Sequence, residues 1–169
     1  MRQQKSIFEN FWVLHFFGLF VLLFLLSIGY AQYQKHQLTL MTSREVAMMC
    51  TSDMATQFHI HPNLKIIILG KKYTIPDNIW ITSTCMHSIH THVQEDGKLH
   101  VEAEVQKDFT LSDFFAVLGK TFTKDQILEN KTDVTHKIIL KVNEKEVKTF
   151  ENTILKDGDM LEIDYIEVK

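Results

Sequence analysis

An almost unbroken apolar run near the N-terminus is the strongest pattern in the chain. Residues 11–29 read FWVLHFFGLFVLLFLLSIG, and the flank before them carries Arg2 and Lys5. At about 1.5 Å of rise per residue, a helix of this length nearly crosses a hydrocarbon core of roughly 30 Å. We predict a transmembrane helix or signal anchor over residues 11–30. The alternative is a signal peptide that is cleaved after Ala31 in the small-x-small sequence GYA.

The segments that flank the apolar run predict the orientation and the limits of a domain. The positive flank favours keeping residues 1–10 in the cytoplasm. The polar, unperiodic residues 31–44 predict a linker, and residues 45–169 predict an α+β domain. We therefore expect a single-pass protein of the cell membrane whose domain lies outside the cytoplasm. The cleaved-peptide alternative places the domain outside the cytoplasm as well.

Short β-branched segments separated by turn residues predict two hairpins. The first covers residues 65–76 with a turn at Gly70-Lys71, and the second covers residues 137–148 with a turn at Asn143-Glu144. A closing strand follows the turn at Asp157-Gly158. The domain is therefore predicted to be rich in β-strands.

Apolar residues at helical spacing predict one main helix. Thr110 is its expected N-cap, Asp113 takes the capping-box position and Gly119 stops the helix. The apolar stripe of this helix contains Leu111, Phe114, Phe115 and Leu118. Shorter helices are predicted over residues 45–58 and 124–129. The predicted strands also include a further extended segment over residues 79–82.

This order of elements, a hairpin, one main helix, a second hairpin and a closing strand after an L-x-D-G-D turn, is that of a β-grasp domain. The last half of the chain resembles the bacterial sulfur-carrier β-grasp proteins. The resemblance implies a fold of hairpins packed on one main helix. It does not imply sulfur transfer, because those proteins act through a C-terminal Gly-Gly and this chain ends in Ile166-Glu167-Val168-Lys169.

Charge and cysteine content narrow the function classes. The net charge is −3, and no basic stripe stands out from the mixed Lys and Glu, which argues against a nucleic-acid partner. The chain has two cysteines, Cys50 and Cys85. In an oxidising compartment they could form one disulfide, and Cys85 could instead be a metal ligand.

Histidines concentrate in one part of the domain. Six of the nine histidines lie between residues 59 and 100, and they include two His-x-His pairs. Side chains two residues apart on a strand project from the same face, so each pair is suited to hold one ion. Imidazole, thiolate and carboxylate are the ligands of zinc and copper. The predicted metal ligands are His90, His92, His100, His59, His61, Cys85 and Glu102.

The turn between two predicted strands decides which of these residues meet. If Glu95-Asp96-Gly97 is a three-residue loop, His92 pairs with His100, and His90 pairs with Glu102. A two-residue turn at Asp96-Gly97 would instead turn His100 to the opposite face. We expect the first register. His87 is expected to be a structural histidine rather than a ligand.

Sulfur donors bear on the identity of the metal. Met48, Met49, Cys50 and Met54 occur close together, and methionine and cysteine are soft ligands that suit Cu(I). Methionine at helical spacing is more commonly part of a core. Copper would be favoured if these residues approach the histidines, and zinc if only imidazole, cysteine and carboxylate do.

Several motifs in residues 59–119 resemble a family of uncharacterised, membrane-anchored small proteins of prokaryotes. These motifs are HIHPNL, C-x-x-x-x-H-T-H, G-x-x-H-V-E and F-T-L-x-x-F-F. In that family a further histidine tends to stand in the place of Asn63, and an aspartate in the place of Val93. The resemblance implies a shared site but no particular reaction.

Three functions remain open from the sequence. The first is a membrane-anchored extracytoplasmic module that binds copper or zinc, which we favour. The second is a metal-dependent hydrolase with Glu102 as general base, although no nucleophile motif accompanies it. The third is a non-catalytic β-grasp adaptor for a membrane-protein partner.

Overall fold

The chain begins with one long helix. The computed structural model describes residues 3–51 and 57–168. Helix α1, Gln3–Leu40, is long and apolar enough to span a membrane. It continues through residues 31–40, where we expect a linker, because QYQKHQLTL contains no Gly or Pro to end it. A second compact unit begins at Met41.

The second unit is a mixture of short helices and several small sheets. Its described elements are, in chain order, helix α2 (Ser43–Ala47), strands β1 (Cys50–Thr51), β2 (Phe58–Ile60), β3 (Asn63–Ile68), β4 (Lys71–Tyr73), β5 (Met86–His87), β6 (Ile89–His90) and β7 (His100–Ala103), helix α3 (Leu111–Leu118), strands β8 (Phe122–Thr123), β9 (Gln126–Ile127), β10 (Asn130–Lys131), β11 (His136–Val142) and β12 (Lys145–Val147), a 3-10 helix (Phe150–Asn152) and strand β13 (Met160–Glu167). The predicted α+β class is thus confirmed at the level of mixed helix and sheet.

A five-stranded mixed sheet is the largest element. Its strand order is β12-β11-β13-β3-β4, and β13 runs parallel to β3 while the other neighbours are antiparallel. Both predicted hairpins are present, but the turn of the first lies one residue earlier than the predicted Gly70-Lys71. Their two-residue turns are Leu69-Gly70 and Asn143-Glu144, whose positive φ values match the twist of the flanking strands.

Alternate residues of this sheet form the core together with α3. Leu64 and Ile66 of β3, and Leu161 and Ile163 of β13, are buried. The buried face of α3 supplies Leu111, Phe114, Phe115 and Val117. The predicted limits of α3 are confirmed. The Asp113 carboxylate accepts hydrogen bonds from the Thr110 backbone N–H at 2.9 Å and hydroxyl at 3.1 Å, and Gly119 ends the helix in the left-handed conformation.

A three-stranded sheet, β2-β7-β6, contains His59, His90 and His100, and we call it the histidine sheet. Backbone hydrogen bonds join the loop before its middle strand to the start of β3. Leu64 N donates to Gly97 O at 2.7 Å, and Leu99 N donates to Pro62 O at 2.9 Å. Gly97 has φ 81°, and a Cβ at this position would overlap the Leu64 carbonyl oxygen. This contact therefore requires glycine, and it fixes the histidine sheet against the largest sheet.

Three local predictions are wrong. Residues 45–58 do not form one helix, because α2 ends at Ala47 and β1 then pairs with β5. Residues 79–82 do not form a strand, because residues 77–80 form a turn in which Ile79 N donates to the Thr91 hydroxyl at 3.1 Å, and only Ile81 makes an isolated bridge, with Met86. Residues 124–129 are not helical, because β8, β9 and β10 form a small antiparallel sheet there.

Candidate metal centre

The register of the histidine sheet brings four predicted ligands onto neighbouring strands. His59 of β2 lies opposite Glu102 of β7, and His90 of β6 lies opposite His100 of β7. All of β7 is buried, so His100 and Glu102 reach the site from the middle strand of the sheet. The sequence reasoning therefore selected residues that the fold brings together.

The register predicted for this hairpin is wrong in detail. His100 pairs with His90 rather than His92, and the connection is the long loop 91–99 rather than a three-residue turn. Gly97 adopts the left-handed conformation that a three-residue turn would need, but it contacts β3 instead of closing a tight turn. Because the pairing is displaced by two residues, each side chain keeps its predicted face of the sheet.

Each His-x-His pair places two ring nitrogens at the spacing of metal ligands. The Nε2 atoms of His59 and His61 are 3.0 Å apart, and those of His90 and His92 are 3.2 Å apart. Two nitrogens bound to one tetrahedral ion at about 2.0 to 2.1 Å lie about 3.3 Å from each other. An N–H···N hydrogen bond has a similar length. The presence of further donors is therefore what distinguishes a metal site from a hydrogen-bonded pair.

Further donors do converge on both pairs. Ligand atoms of His59, His61, His100 and Glu102 lie within 4.8 Å of one another, and so do those of His90, His92 and His100. The ring of His100 is 4.5 Å from the ring of His61 and 4.5 Å from that of His92, measured between centroids. His100 thus belongs to both groups, which together we call the histidine cluster.

His90 is held in the protonation state that a metal ligand needs. Its Nδ1 lies 3.0 Å from the carbonyl oxygen of His87, which can only accept, so Nδ1 carries the proton and Nε2 carries a lone pair. Burial lowers the pKa of His90 from 6.5 to about 4, with the hydrogen bond to His87 opposing that shift. At neutral pH the ring is therefore uncharged, with Nε2 directed at His92.

His61 is positioned by the turn that precedes β13. Its backbone N–H donates to Asp157 Oδ1 at 2.8 Å, and its carbonyl accepts from Gly158 N at 3.4 Å. Burial lowers the pKa of the His61 ring, and the neighbouring His100 and His59 add to that shift. The ring is consequently neutral at physiological pH, as ligation requires.

Glu102 supplies a buried carboxylate. It is 2% exposed, and its Oε1 lies 2.9 Å from His59 Nε2 and 3.6 Å from His100 Nδ1. Glu102 Oε2 and His100 Nδ1 are buried without a hydrogen-bond partner. Unpaired buried polar atoms are costly, and a cation between these groups would satisfy them. The residues present therefore fit a metal ion.

Glu95 was not among the residues singled out from the sequence, where it was assigned only to a turn. Its Oε2 accepts from His100 Nε2 at 2.5 Å, and its Oε1 accepts from Lys98 Nζ at 3.0 Å. These two hydrogen bonds lower the pKa of Glu95 to about 2. An acidic residue in the loop before His100 was the available signal. The predicted three-residue turn did not suggest this contact, because it would have placed Glu95 in the turn itself and away from His100.

Cys85 must be removed from the predicted ligand set. Cys50 and Cys85 form a disulfide, so the sequence alternative of a single bridge is the one that the structure adopts. A sulfur in a disulfide has no thiolate charge to offer an ion. His87 lies near this bridge and stacks on Trp80 with ring centroids 4.7 Å apart, consistent with its predicted structural role.

The sulfur donors therefore contribute less than the sequence allowed. The sulfur of Cys50 is bonded to Cys85 in the disulfide, and Met54 lies outside the described residues. Met48 is exposed and Met49 is half-buried beside α2. The donors that converge are imidazole and carboxylate groups, which suit Zn²⁺ and Cu²⁺.

Comparisons with known proteins add no assignment. No protein-family model matches the sequence, no curated protein matches it, and no solved structure matches the fold. The function is therefore argued from the geometry of the chain itself.

Proposed function

We propose that this protein is a membrane-anchored, extracytoplasmic module that binds copper or zinc through the histidine cluster. The observation that carries the proposal is two imidazole pairs, with Nε2 atoms 3.0 and 3.2 Å apart, that both have His100 as a further donor. The His59 and His61 pair has the buried Glu102 beside it as well. A single hydrogen-bonded histidine pair would not need a buried carboxylate with an unpaired oxygen beside it.

The location is supported by two features. Helix α1 is long and apolar enough to serve as a single anchor, and the positive charges of Arg2 and Lys5 favour a cytoplasmic N-terminus. The Cys50–Cys85 disulfide is typical of an oxidising compartment. We therefore propose that the metal-binding domain faces outside the cytoplasm.

The scaffold that we propose for the site is a β-grasp-like domain. The closing strand β13 lies between the hairpins β11–β12 and β3–β4 and runs parallel to β3, which supports that interpretation. The resemblance of residues 59–119 to membrane-anchored small proteins of prokaryotes stays a prediction. So does a membrane-protein partner that would receive or supply the ion.

The geometry favours binding over hydrolysis. A general base must reach a metal-bound water or a substrate. Glu102 is 2% exposed, and its Oε1 is already 2.9 Å from His59 Nε2. Glu102 is therefore better placed to ligate an ion or orient a histidine than to take a proton from water.

Metal binding by the full-length chain is the decisive measurement. The protein is purified in detergent without a histidine tag, stripped with a chelator and titrated with Zn²⁺ or Cu²⁺ against a competing indicator dye. We expect dissociation constants in the micromolar range or below. A chain that binds neither ion at micromolar concentration would refute the proposal.

Variants connect the binding to the cluster. Replacement of His59, His61, His90 and His92 together by Ala should abolish it. The matched control is His136→Ala, since this histidine lies on β11, stacked on Tyr165 and paired with Asp133. Circular dichroism checks that each variant stays folded. Unchanged binding by the quadruple variant would assign the ion to another place.

A further inference from the structure

The histidine cluster is divided into two ligand groups that overlap in one residue. Among the described residues, one group comprises His59, His61, His100 and Glu102, and the other comprises His90, His92 and His100. Neither group contains members of both His-x-His pairs. A single ion could therefore use one pair together with His100, but it would leave the other pair without a partner ion.

We propose that the cluster holds two metal ions, one at each His-x-His pair, with the imidazole of His100 as a ligand shared between them. This inference rests on the proposed function. Each ion would then have at least three protein ligands, which is the number that a stable zinc or copper site requires.

The two nitrogens of His100 face different surroundings. Nδ1 lies 3.6 Å from Glu102 Oε1, on the side of the first group, and is buried without a hydrogen bond. Nε2 lies 2.5 Å from Glu95 Oε2, so Nε2 carries a proton that it donates to this carboxylate. A lone pair is thus ready for one ion at Nδ1.

Binding of a second ion at Nε2 displaces one proton. The ring N–H bond breaks, its electron pair forms the new metal–nitrogen bond, and the proton passes to solvent. Glu95 accepts the hydrogen bond from this N–H and is 30% exposed at its side chain, so it offers a route out. No change of oxidation state is involved.

Negative charge at the cluster offsets part of the repulsion that two ions would exert on each other. Two divalent cations this close repel each other strongly in a partly buried site. The imidazolate between them and the carboxylates of Glu102 and Glu95 place three negative charges next to the ions. Burial differs between the two positions, since His59 is 39% exposed at its side chain and His90 is 0% exposed. The first ion position is therefore more exposed to solvent than the second.

Stoichiometry is the test. The stripped full-length chain in detergent is dialysed to saturation against Zn²⁺ alone, and metal per chain is measured by elemental analysis. We expect two ions for the native chain, one for His59→Ala/His61→Ala, and one for His92→Ala. His136→Ala should keep two, and the quadruple variant gives the background to be subtracted.

Loading with Cu²⁺ tests the shared ligand. Two Cu²⁺ ions joined by an imidazolate couple magnetically, so the integrated paramagnetic resonance signal at low temperature should fall below the copper content. In His59→Ala/His61→Ala the remaining ion should give full intensity. Two ions with full intensity in the native chain would overturn the role of His100 as a bridge.

The outcomes separate the two proposals. Two ions in the native chain and one in each variant support the inference. One ion per native chain would overturn it and leave the proposed metal binding standing. No bound ion would overturn both.

Discussion

Gly97 links the histidine cluster to the largest sheet, and its replacement should be unusually costly. Gly97 has φ 81°, and an added Cβ would overlap the carbonyl oxygen of Leu64. Gly70 offers a matched control, since it has φ 77° but nothing within 4 Å of its ideal Cβ. The comparison of Gly97→Ala with Gly70→Ala therefore separates the steric overlap from the strain of a left-handed alanine.

The expected difference follows from the hydrogen bonds at this contact. Left-handed geometry costs alanine about 1 to 2 kcal/mol, and this cost is common to both variants. In Gly97→Ala the loop must also move away from β3, which breaks or stretches the 2.7 Å bond from Leu64 N to Gly97 O and the 2.9 Å bond from Leu99 N to Pro62 O. A buried group left unsatisfied costs about 1 to 3 kcal/mol. Gly97→Ala should therefore be less stable than Gly70→Ala by about 2 to 4 kcal/mol.

Urea unfolding of the full-length chain in detergent, with chelator present, measures this difference. A Trp12→Phe background makes Trp80, which stacks on His87, the fluorescent reporter of the domain. Gly97→Ala should also weaken metal binding, since the displaced loop carries Glu95 next to His100. Equal destabilisation of the two glycine variants within about 0.5 kcal/mol would refute the reasoning.

Two further predictions concern protons and the disulfide. Burial lowers the pKa of the His90 ring from 6.5 in the unfolded chain to about 4 in the folded one. As the pH falls, the unfolded chain therefore takes up a proton at His90 before the folded chain does. The free energy of unfolding should fall by about 3 kcal/mol as the pH drops from about 6.5 to about 4. In urea titrations with chelator, His90→Gln should flatten that part of the curve, and a native curve as flat as the variant's would contradict the assignment. The variant Cys50→Ser/Cys85→Ser removes the disulfide, which links residues 35 positions apart. The free energy of unfolding in urea should fall by about 3 to 4 kcal/mol. A decrease below about 1 kcal/mol would show that the disulfide contributes little to stability.

The local elements of the fold were predictable because their signals are local. The turn at Asn143-Glu144, the alternation of β11 and β13 and the caps of α3 each depend on a few neighbouring residues. At residues 124–129 the failure is local, because antiparallel pairing of β8, β9 and β10 replaces the expected helix. The other two predictions failed where a distant contact overrides propensity. Thr91 holds residues 77–80 in a turn, and pairing with β5 draws residues 50–51 into a strand.

For the candidate site, too, local features were predictable from the sequence and long-range contacts were not. The period of two along a strand predicted that His90, His100 and Glu102 share one face, and this holds although the register is shifted by two residues, because an even shift keeps the faces. His61 and His92 lie just beyond the ends of β2 and β6, each next to its partner histidine. The register itself, the long loop 91–99 and the contact of Glu95 with His100 depend on the Gly97–Leu64 contact. That contact joins distant parts of the chain, so no local sequence pattern predicts it.

The sequence by itself determined the apolar N-terminal segment, the hairpins, α3 and which histidines are candidate ligands, because hydrophobic spacing, turn residues and side-chain chemistry are properties of short stretches. Only the tertiary structure decided that Cys85 joins Cys50 instead of the ligand set, and that His100 lies between the two pairs. Both facts depend on which strands become neighbours, and packing of the whole domain decides that.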